Sequence, residues 1–263
     1  MAISIDLIKQ LRERTLAPLG DCKKALEEAQ GDIDKAQEIL KQTWAAKADK
    51  KAGRETQNGL VKFLKTDGAI VGVKLLCETD FVAKNDEFQA LVDSLLERIS
   101  DYGSDVDPSS VPQDLLDELS QAIKDKTATI GEAMNIGYVY KRSGDAYVYN
   151  HSGAISAVVF YDWDDEEVAK SLALQVAAMD PQFVSIDDVP QERLDELHTQ
   201  FASSDEVTSK PEHIQEQIIM WKVHKEVQDE ILLEQVSITD QSKKVKDILP
   251  QGFSVQSILR VAI

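Results

Sequence analysis

The stretch LVKFLKTDGAIVGVKLLCETDFVAKNDEFQAL, residues 60–91, decides the fold, because its hydrophobic period changes partway along. Val71, Val73, Leu75 and Cys77 fall on every second position, which puts them on one face of a strand. Thr66, Asp67 and Gly68 just before that run form a turn signature, so the segment predicts a β-hairpin. From Phe88 the spacing becomes helical, with Leu91, Val92, Leu95, Leu96 and Ile99 on one stripe. Asp86, with Gln89 three residues later, predicts a capping-box start to that helix. Between strand and helix lies an acidic connection that carries a large apolar residue, Phe81, directly behind Asp80.

The same plan recurs 85 residues later: GAIVGVKLLCETDFV begins at Gly68 and GAISAVVFYDWDDEEV at Gly153. Each is a turn, an apolar run and an acidic loop before an amphipathic helix, the second helix carrying Val168, Leu172, Val176 and Met179. Two related units are implied, with helices laid on mainly antiparallel sheets, which is an α+β class. At this offset Asp80 matches Asp165, whereas Phe81 matches Glu166, so the plan itself does not require phenylalanine. A position that accepts glutamate lies near solvent. Phe81 therefore either waits for a partner or tucks against its own helix, and spacing leaves both open.

Residues 4–43 read as three short helices. Ser4 caps the first, with Ile5, Ile8 and Leu11 on one face; Cys22, Ala25, Leu26 and Ala29 stripe the second; Gly31 stops it. Asp32 caps a third, bearing Ile33, Ala36, Ile39, Leu40 and Trp44. So few apolar residues suit an accessory module. KQTWAAKADKKAGR (41–54) concentrates positive charge and reads as a solvated helical linker in preference to an RNA contact. Pro190 to Gln235 predicts a helical hairpin, ERLDELHTQF and PEHIQEQIIMWKVHKEVQDEILLEQ flanking a polar connection. Its edge of Ile214, Ile218, Trp221 and Ile231 serves either self-association or packing within the hairpin. The expected domains are 1–53, helical module and basic linker; 54–145, core subdomain one; and 146–263, core subdomain two with the hairpin at about 190–235.

The 47 acidic residues outnumber the 29 basic ones, leaving a formal net charge of -18. That gives no basis for holding a phosphate backbone, so no direct nucleic-acid binding is expected. No run reaches the roughly twenty apolar residues of a membrane span, and the chain starts at once on an amphipathic pattern, so a soluble, cytoplasmic protein is expected. Cys22 and Cys77 lie far apart within apolar patterns and read as reduced core residues. No P-loop, dinucleotide glycine pattern, G-x-S-x-G or H-E-x-x-H occurs, and His213 and His224 lack a third ligand. The run DWDDEE (162–167) lacks calcium-loop spacing and is better placed as favourable charge at a helix start. The expectation is a non-enzyme without metal or cofactor.

LIKQLRERT (7–15), GDCKKALEEAQGDIDKAQEIL (20–40), CETDFVAKNDEFQAL (77–91), IGEAMNI (130–136) and YNHSGAI (149–155), in that order, resemble the bacterial translation elongation factor Ts family. The resemblance implies a three-helix, ubiquitin-associated-like N-terminal module, a two-part core of antiparallel sheets with packed helices, and an inserted helical hairpin that many members use for dimerisation. It implies a guanine-nucleotide exchange factor that binds the GTPase elongation factor Tu and releases its GDP. Thr79, Asp80, Phe81 and Val82 match the element whose Asp-Phe pair intrudes beside the magnesium side of the partner's nucleotide pocket. His151 matches a second core contact, and Lys9, Arg12, Asp21, Cys22 and Lys23 match the module that touches the GTPase domain, with Cys22 more core than contact.

The family's usual T-G-A-G-M-M-D-C-K-K-A-L is here TLAPLGDCKKAL, with Leu16, Pro18, Leu19 and Gly20, so an apolar contact at Gly20 is lost or supplied by Leu19. Val236 and Ser237 replace a usual Pro-Phe, and after ILRVAI many members continue into a C-terminal module whose contacts are expected to be missing, which would weaken exchange. The rival reading is an exchange-inactive adaptor that binds through the N-terminal helices.

Overall fold

The computed structural model describes residues 3–15, 17–51, 53–162 and 165–263, with side chains at all of these except 44–51 and 128. Leu16, the Trp44 side chain, Trp163 and Asp164, each invoked above, lie outside the described residues. The chain divides into two units, Met1–Gly144 with Ser152–Ala154 and Ala262–Ile263, and Asp145–His151 with Ile155–Val261.

In the first unit the Ser4 hydroxyl accepts the Leu7 N–H at 3.2 Å and opens α1 (Ile5–Thr15). α2 (Leu19–Glu28) closes where Gln30 and Gly31 take positive φ and the Gly31 N–H bonds the Leu26 carbonyl at 2.9 Å. Asp32 then accepts the N–H groups of Asp34 and Lys35, at 3.0 and 3.1 Å, and starts α3 (Ile33–Lys51). Leu11, Ala17, Cys22, Ala25, Leu26, Ala36 and Leu40 close a small core, with Leu7 and Ile8 against it. Ile5 is not part of that face. It is 71% exposed, because the buried stripe of α1 is centred on Leu7, Ile8 and Leu11.

β1 (Asn58–Thr66) and β2 (Ala69–Cys77) form the expected hairpin, Thr66 opposite Ala69 and Gly68 at φ 86° in the turn. β3 (Met134–Ser143) lies antiparallel on the other side of β2. Val71, Val73, Leu75 and Cys77 pack beneath α5 (Asp86–Asp101) and α6 (Gln113–Ile130), where Phe88, Leu91, Val92, Leu95, Leu96 and Ile99 are all buried. Each such side chain contributes about 1.5–3 kcal/mol. The cap of α5 is Asn85, whose carbonyl oxygen accepts the Glu87 N–H at 2.7 Å. The expected Asp86 is already the first helical residue. The connection before α5 also holds a one-turn helix, α4 (Asp80–Ala83), too short to show a period.

In the second unit β4 (Tyr147–His151), β5 (Ile155–Asp162) and β6 (Ser254–Ala262) make a three-stranded sheet in that order. α7 (Glu166–Met179) is capped by Asp165, whose carboxylate accepts the Val168 N–H at 3.2 Å, so the acids of 165–167 sit at the positive end of the helix dipole. Leu172, Ala173 and Val176 pack on Ala157 and Val159. Met179 departs from its expected place in the stripe: it ends the helix, where Asp180 turns left-handed, and stands exposed.

The hairpin arms are α8 (Gln191–Ala202) and α10 (Glu212–Val227), joined through α9 (Asp205–Thr208). Leu194, Leu197 and Phe201 meet Ile219 and Val223. The buried stripe of α10 is thus Ile219, Val223 and Val227; of the expected edge, Ile218 packs half-buried against that cluster, while Trp221 is on the solvent side, 59% exposed. Ile231 is buried beyond the end of α10, with Val189 and Val227. A short α11 (Val245–Ile248) precedes β6.

Candidate partner-binding site

β2 ends with Cys77 in the core and Glu78 and Thr79 half-buried, and α4 follows. Thr79 has extended backbone angles, and its hydroxyl oxygen accepts the Val82 N–H at 3.4 Å, which caps the turn. Val82 and Ala83 face the core cluster of the unit. Phe81 faces water and is 82% exposed, more than any other large apolar side chain among the described residues. Packing against its own helix, the alternative left open by spacing, is not what the ring does. Asp80 is exposed beside it, and the hydrogen bond from Lys84 at 2.8 Å holds its carboxyl below the usual carboxylate range.

Two carboxylates brace the segment from behind. Glu132 accepts the Thr79 N–H at 2.9 Å and the Thr79 hydroxyl at 2.6 Å. Glu78 accepts the Ala133 N–H at 2.7 Å and pairs with Arg54 at 3.2 Å, while the Asn58 amide donates to the Glu78 carbonyl at 2.9 Å. The Cys77 thiol donates to the Thr79 carbonyl at 3.2 Å, and burial pushes it up to about 11, so it is an inert thiol. Glu78 and Glu132 were missed by motif reading. The one available signal was the acid inside IGEAMNI, and nothing local connects it with Thr79.

His151, in the second unit, ends β4 opposite Ile155 and is exposed. The Tyr149 hydroxyl lies 2.8 Å from its Nδ1, and the two rings are 6.0 Å apart. Lys9 and Arg12 are exposed one turn apart on α1. On α2, Leu19 is 52% exposed at the first position, Asp21 is half-buried, and Lys23 is exposed 3.8 Å from Glu27. Cys22 is buried, and burial raises its thiol. A Cβ at Gly20 would meet nothing within 4 Å. The sequence-predicted residues thus divide into the α4 turn, the α1–α2 helices and the end of β4.

Among the described residues no group of three or more His, Cys, Asp or Glu could hold a metal ion, and no helix is long and apolar enough to cross a membrane. What the site offers is a shaped, largely preformed projection.

A family profile described as "Elongation factor TS" matches residues 78–263. The elongation factor Ts of Hydrogenobaculum sp. (strain Y04AAS1) is 39% identical over 254 residues, covering 94% of this chain and 93% of its own length. That of Aquifex aeolicus (strain VF5) is 36% identical over 276 residues, covering 97% and 95%. That of Mycoplasmopsis pulmonis (strain UAB CTIP) is 36% identical over 255 residues, covering 94% and 87%.

Proposed function

The chain belongs to the elongation factor Ts family, and on that premise we infer that it is a guanine-nucleotide exchange factor, binding GDP-loaded elongation factor Tu and promoting loss of the nucleotide. The observation that carries the reading is Phe81, a ring held in water on a capped turn with Asp80 beside it. Asp80 and Phe81 enter the partner beside the magnesium side of its nucleotide pocket, with Thr79 and Val82 as the ends of the turn that presents them. His151 makes a second contact. Lys9, Arg12, Leu19, Asp21 and Lys23 meet the GTPase domain, with Leu19 supplying apolar surface beside Gly20.

The mechanism is linkage. A protein that fits the open pocket better than the nucleotide-closed one weakens nucleotide binding by the same factor that nucleotide weakens its own. Magnesium bridges the phosphates to the GTPase, so disturbing its site removes strong contacts. A release accelerated roughly 10⁴-fold corresponds to a barrier lowered by about 5.5 kcal/mol, within reach of a few well-filled hot spots. The chain makes and breaks no covalent bond here, so it is no enzyme in the chemical sense, and its place is the cytoplasm, where elongation runs. The segments 1–53, 54–145 and 146–263 serve as contact module and two core subdomains. A homodimer through the hairpin would cover Met220 and Trp221, which α10 leaves exposed, and sedimentation at several concentrations reads it out. The adaptor reading is not favoured.

The test is release of a fluorescent GDP analogue from elongation factor Tu under excess GDP, with wild type or Phe81→Ala. Rapid release by wild type and a large loss in the variant support the reading; no acceleration by wild type overturns it.

A further inference from the structure

Glu132 stands 53 residues beyond Thr79, yet its two oxygens take both donors that Thr79 offers, the N–H at 2.9 Å and the hydroxyl at 2.6 Å. The same hydroxyl oxygen accepts the Val82 N–H at 3.4 Å, so a hydrogen-bonded chain runs from Glu132 through Thr79 into α4. In return, Glu78 accepts the Ala133 N–H at 2.7 Å, so segments 78–79 and 132–133 each hold the other's backbone donor. We propose that Glu132 is the positioning residue of the exchange turn, fixing Thr79 and through it the heading of Phe81 before the partner arrives. The proposal rests on the reading of Phe81 given above.

α4 is a single turn, and one helical turn does not sustain itself in water. Its order comes from what its ends are tied to. The C-terminal end is anchored by Val82 and Ala83, half-buried against the core, while the N-terminal end depends on the rotamer of Thr79, the extended capping residue whose hydroxyl must face the Val82 N–H. A carboxylate that accepts the hydroxyl's hydrogen bond selects one rotamer and turns the oxygen's remaining lone pairs toward Val82. It also polarises the hydroxyl, which makes it a better acceptor for that N–H. Phe81 has little packing of its own to fix its direction, so an unbraced turn would leave the ring to be ordered on docking, at the expense of the release step.

A carboxylate accepts from both donors at once. Glutamine at 132 accepts from the N–H alone and turns its own N–H₂ to the hydroxyl, so that bond reverses and the Thr79 hydroxyl is no longer polarised by a negative charge. The Asp80–Lys84 pair does not replace this brace, because both partners are largely in water.

The experiment is stopped-flow release of the GDP analogue over a range of exchange-factor concentrations, for wild type, Glu132→Gln, Phe81→Ala and the double variant. Glu132→Gln is expected to lower the maximal rate roughly 10-fold, the scale of losing a hydrogen bond to a charged group. The half-saturating concentration should move much less, and the Val82 amide should exchange faster with solvent. In the Phe81→Ala background the same change should cost much less, because the ring is the larger part of what the braced turn presents. A wild-type rate in Glu132→Gln, or an equal loss in both backgrounds, overturns the proposal. If Glu132→Gln does not melt cooperatively, Thr79→Val, which leaves Glu132 in place and removes the hydroxyl link, takes its position under the same criteria. A wild type that fails to accelerate release removes the premise instead, which distinguishes the two failures.

Discussion

Phe81 and Val82 are neighbours in sequence and take opposite sides of α4, the ring in solvent and the valine against the core cluster of the first unit. On the proposed role of Phe81, function and stability should therefore separate at adjacent positions. Phe81→Ala should leave thermal stability within about 0.5 kcal/mol of wild type while lowering exchange by at least roughly tenfold. Val82→Ala should lose about 1–2 kcal/mol in urea unfolding, below the range for a fully buried aliphatic because Val82 is only half-buried. A comparable stability loss in both would mean that the ring supports the fold.

The pairing of Tyr149 with His151 makes a second, independent test. The phenol hydroxyl, 2.8 Å from Nδ1, fixes how the exposed ring is turned and which nitrogen it presents. Tyr149→Phe should weaken binding to elongation factor Tu about 3–10-fold in calorimetry, the scale of one hydrogen bond, and His151→Ala by a similar factor. The double variant should lose little more than either single one. Additive losses would show that the two residues act separately.

The hairpin and α5 were legible because a buried stripe is a local property: Val71 to Cys77 alternate, and Phe88 to Ile99 recur at helical spacing. α4 was not, since four residues contain no period, and the cap was displaced by one because Asn85 and Asp86 suit the role equally. On α10 two apolar stripes compete. Ile214, Ile218 and Trp221 look as good as Ile219, Val223 and Val227, and it is packing against α8 that buries Ile219 and Val223, leaves Ile218 half-buried and turns Trp221 to solvent. Motif resemblance marked Asp80 and Phe81 but not their supports. Glu78 and Glu132 hold backbone donors 55 and 53 residues away, and a carboxylate that bonds a distant N–H leaves no pattern of its own.

Glu234 should report on the second unit through pH. Burial tends to raise its carboxyl, but hydrogen bonds from Lys244 at 2.7 Å and Lys246 at 2.9 Å outweigh this and bring it down to about 2 from 4.5. The folded form thus binds its proton less readily than the unfolded chain. Its contribution is complete above about pH 4.5 and disappears as pH falls through about 2. Glu234→Gln should be on the order of 2–3 kcal/mol less stable at pH 7, and the difference should shrink steadily between pH 4.5 and 2. Urea titrations at several pH values measure it, and a difference constant across that window would rule out the lysine pairing as its source.

Gly20 gives the sharpest test of the proposed N-terminal contact. It lies inside α2 without a positive φ, and an added Cβ meets nothing within 4 Å, so a side chain can start there without a clash at its first atom. Replacing glycine within a helix gains up to about 1 kcal/mol whatever the side chain touches. Gly20→Met should therefore raise the melting temperature of the helical module slightly, as should Gly20→Ala. The two part company at the partner. Methionine restores the apolar group common at this place in the family, next to the exposed Leu19, and should slow dissociation from elongation factor Tu about 2–5-fold, as expected for a modest gain in buried apolar area. Alanine should not. Equal dissociation rates for the two variants would place Gly20 outside the contact, leaving Leu19, Lys9 and Arg12 to carry it.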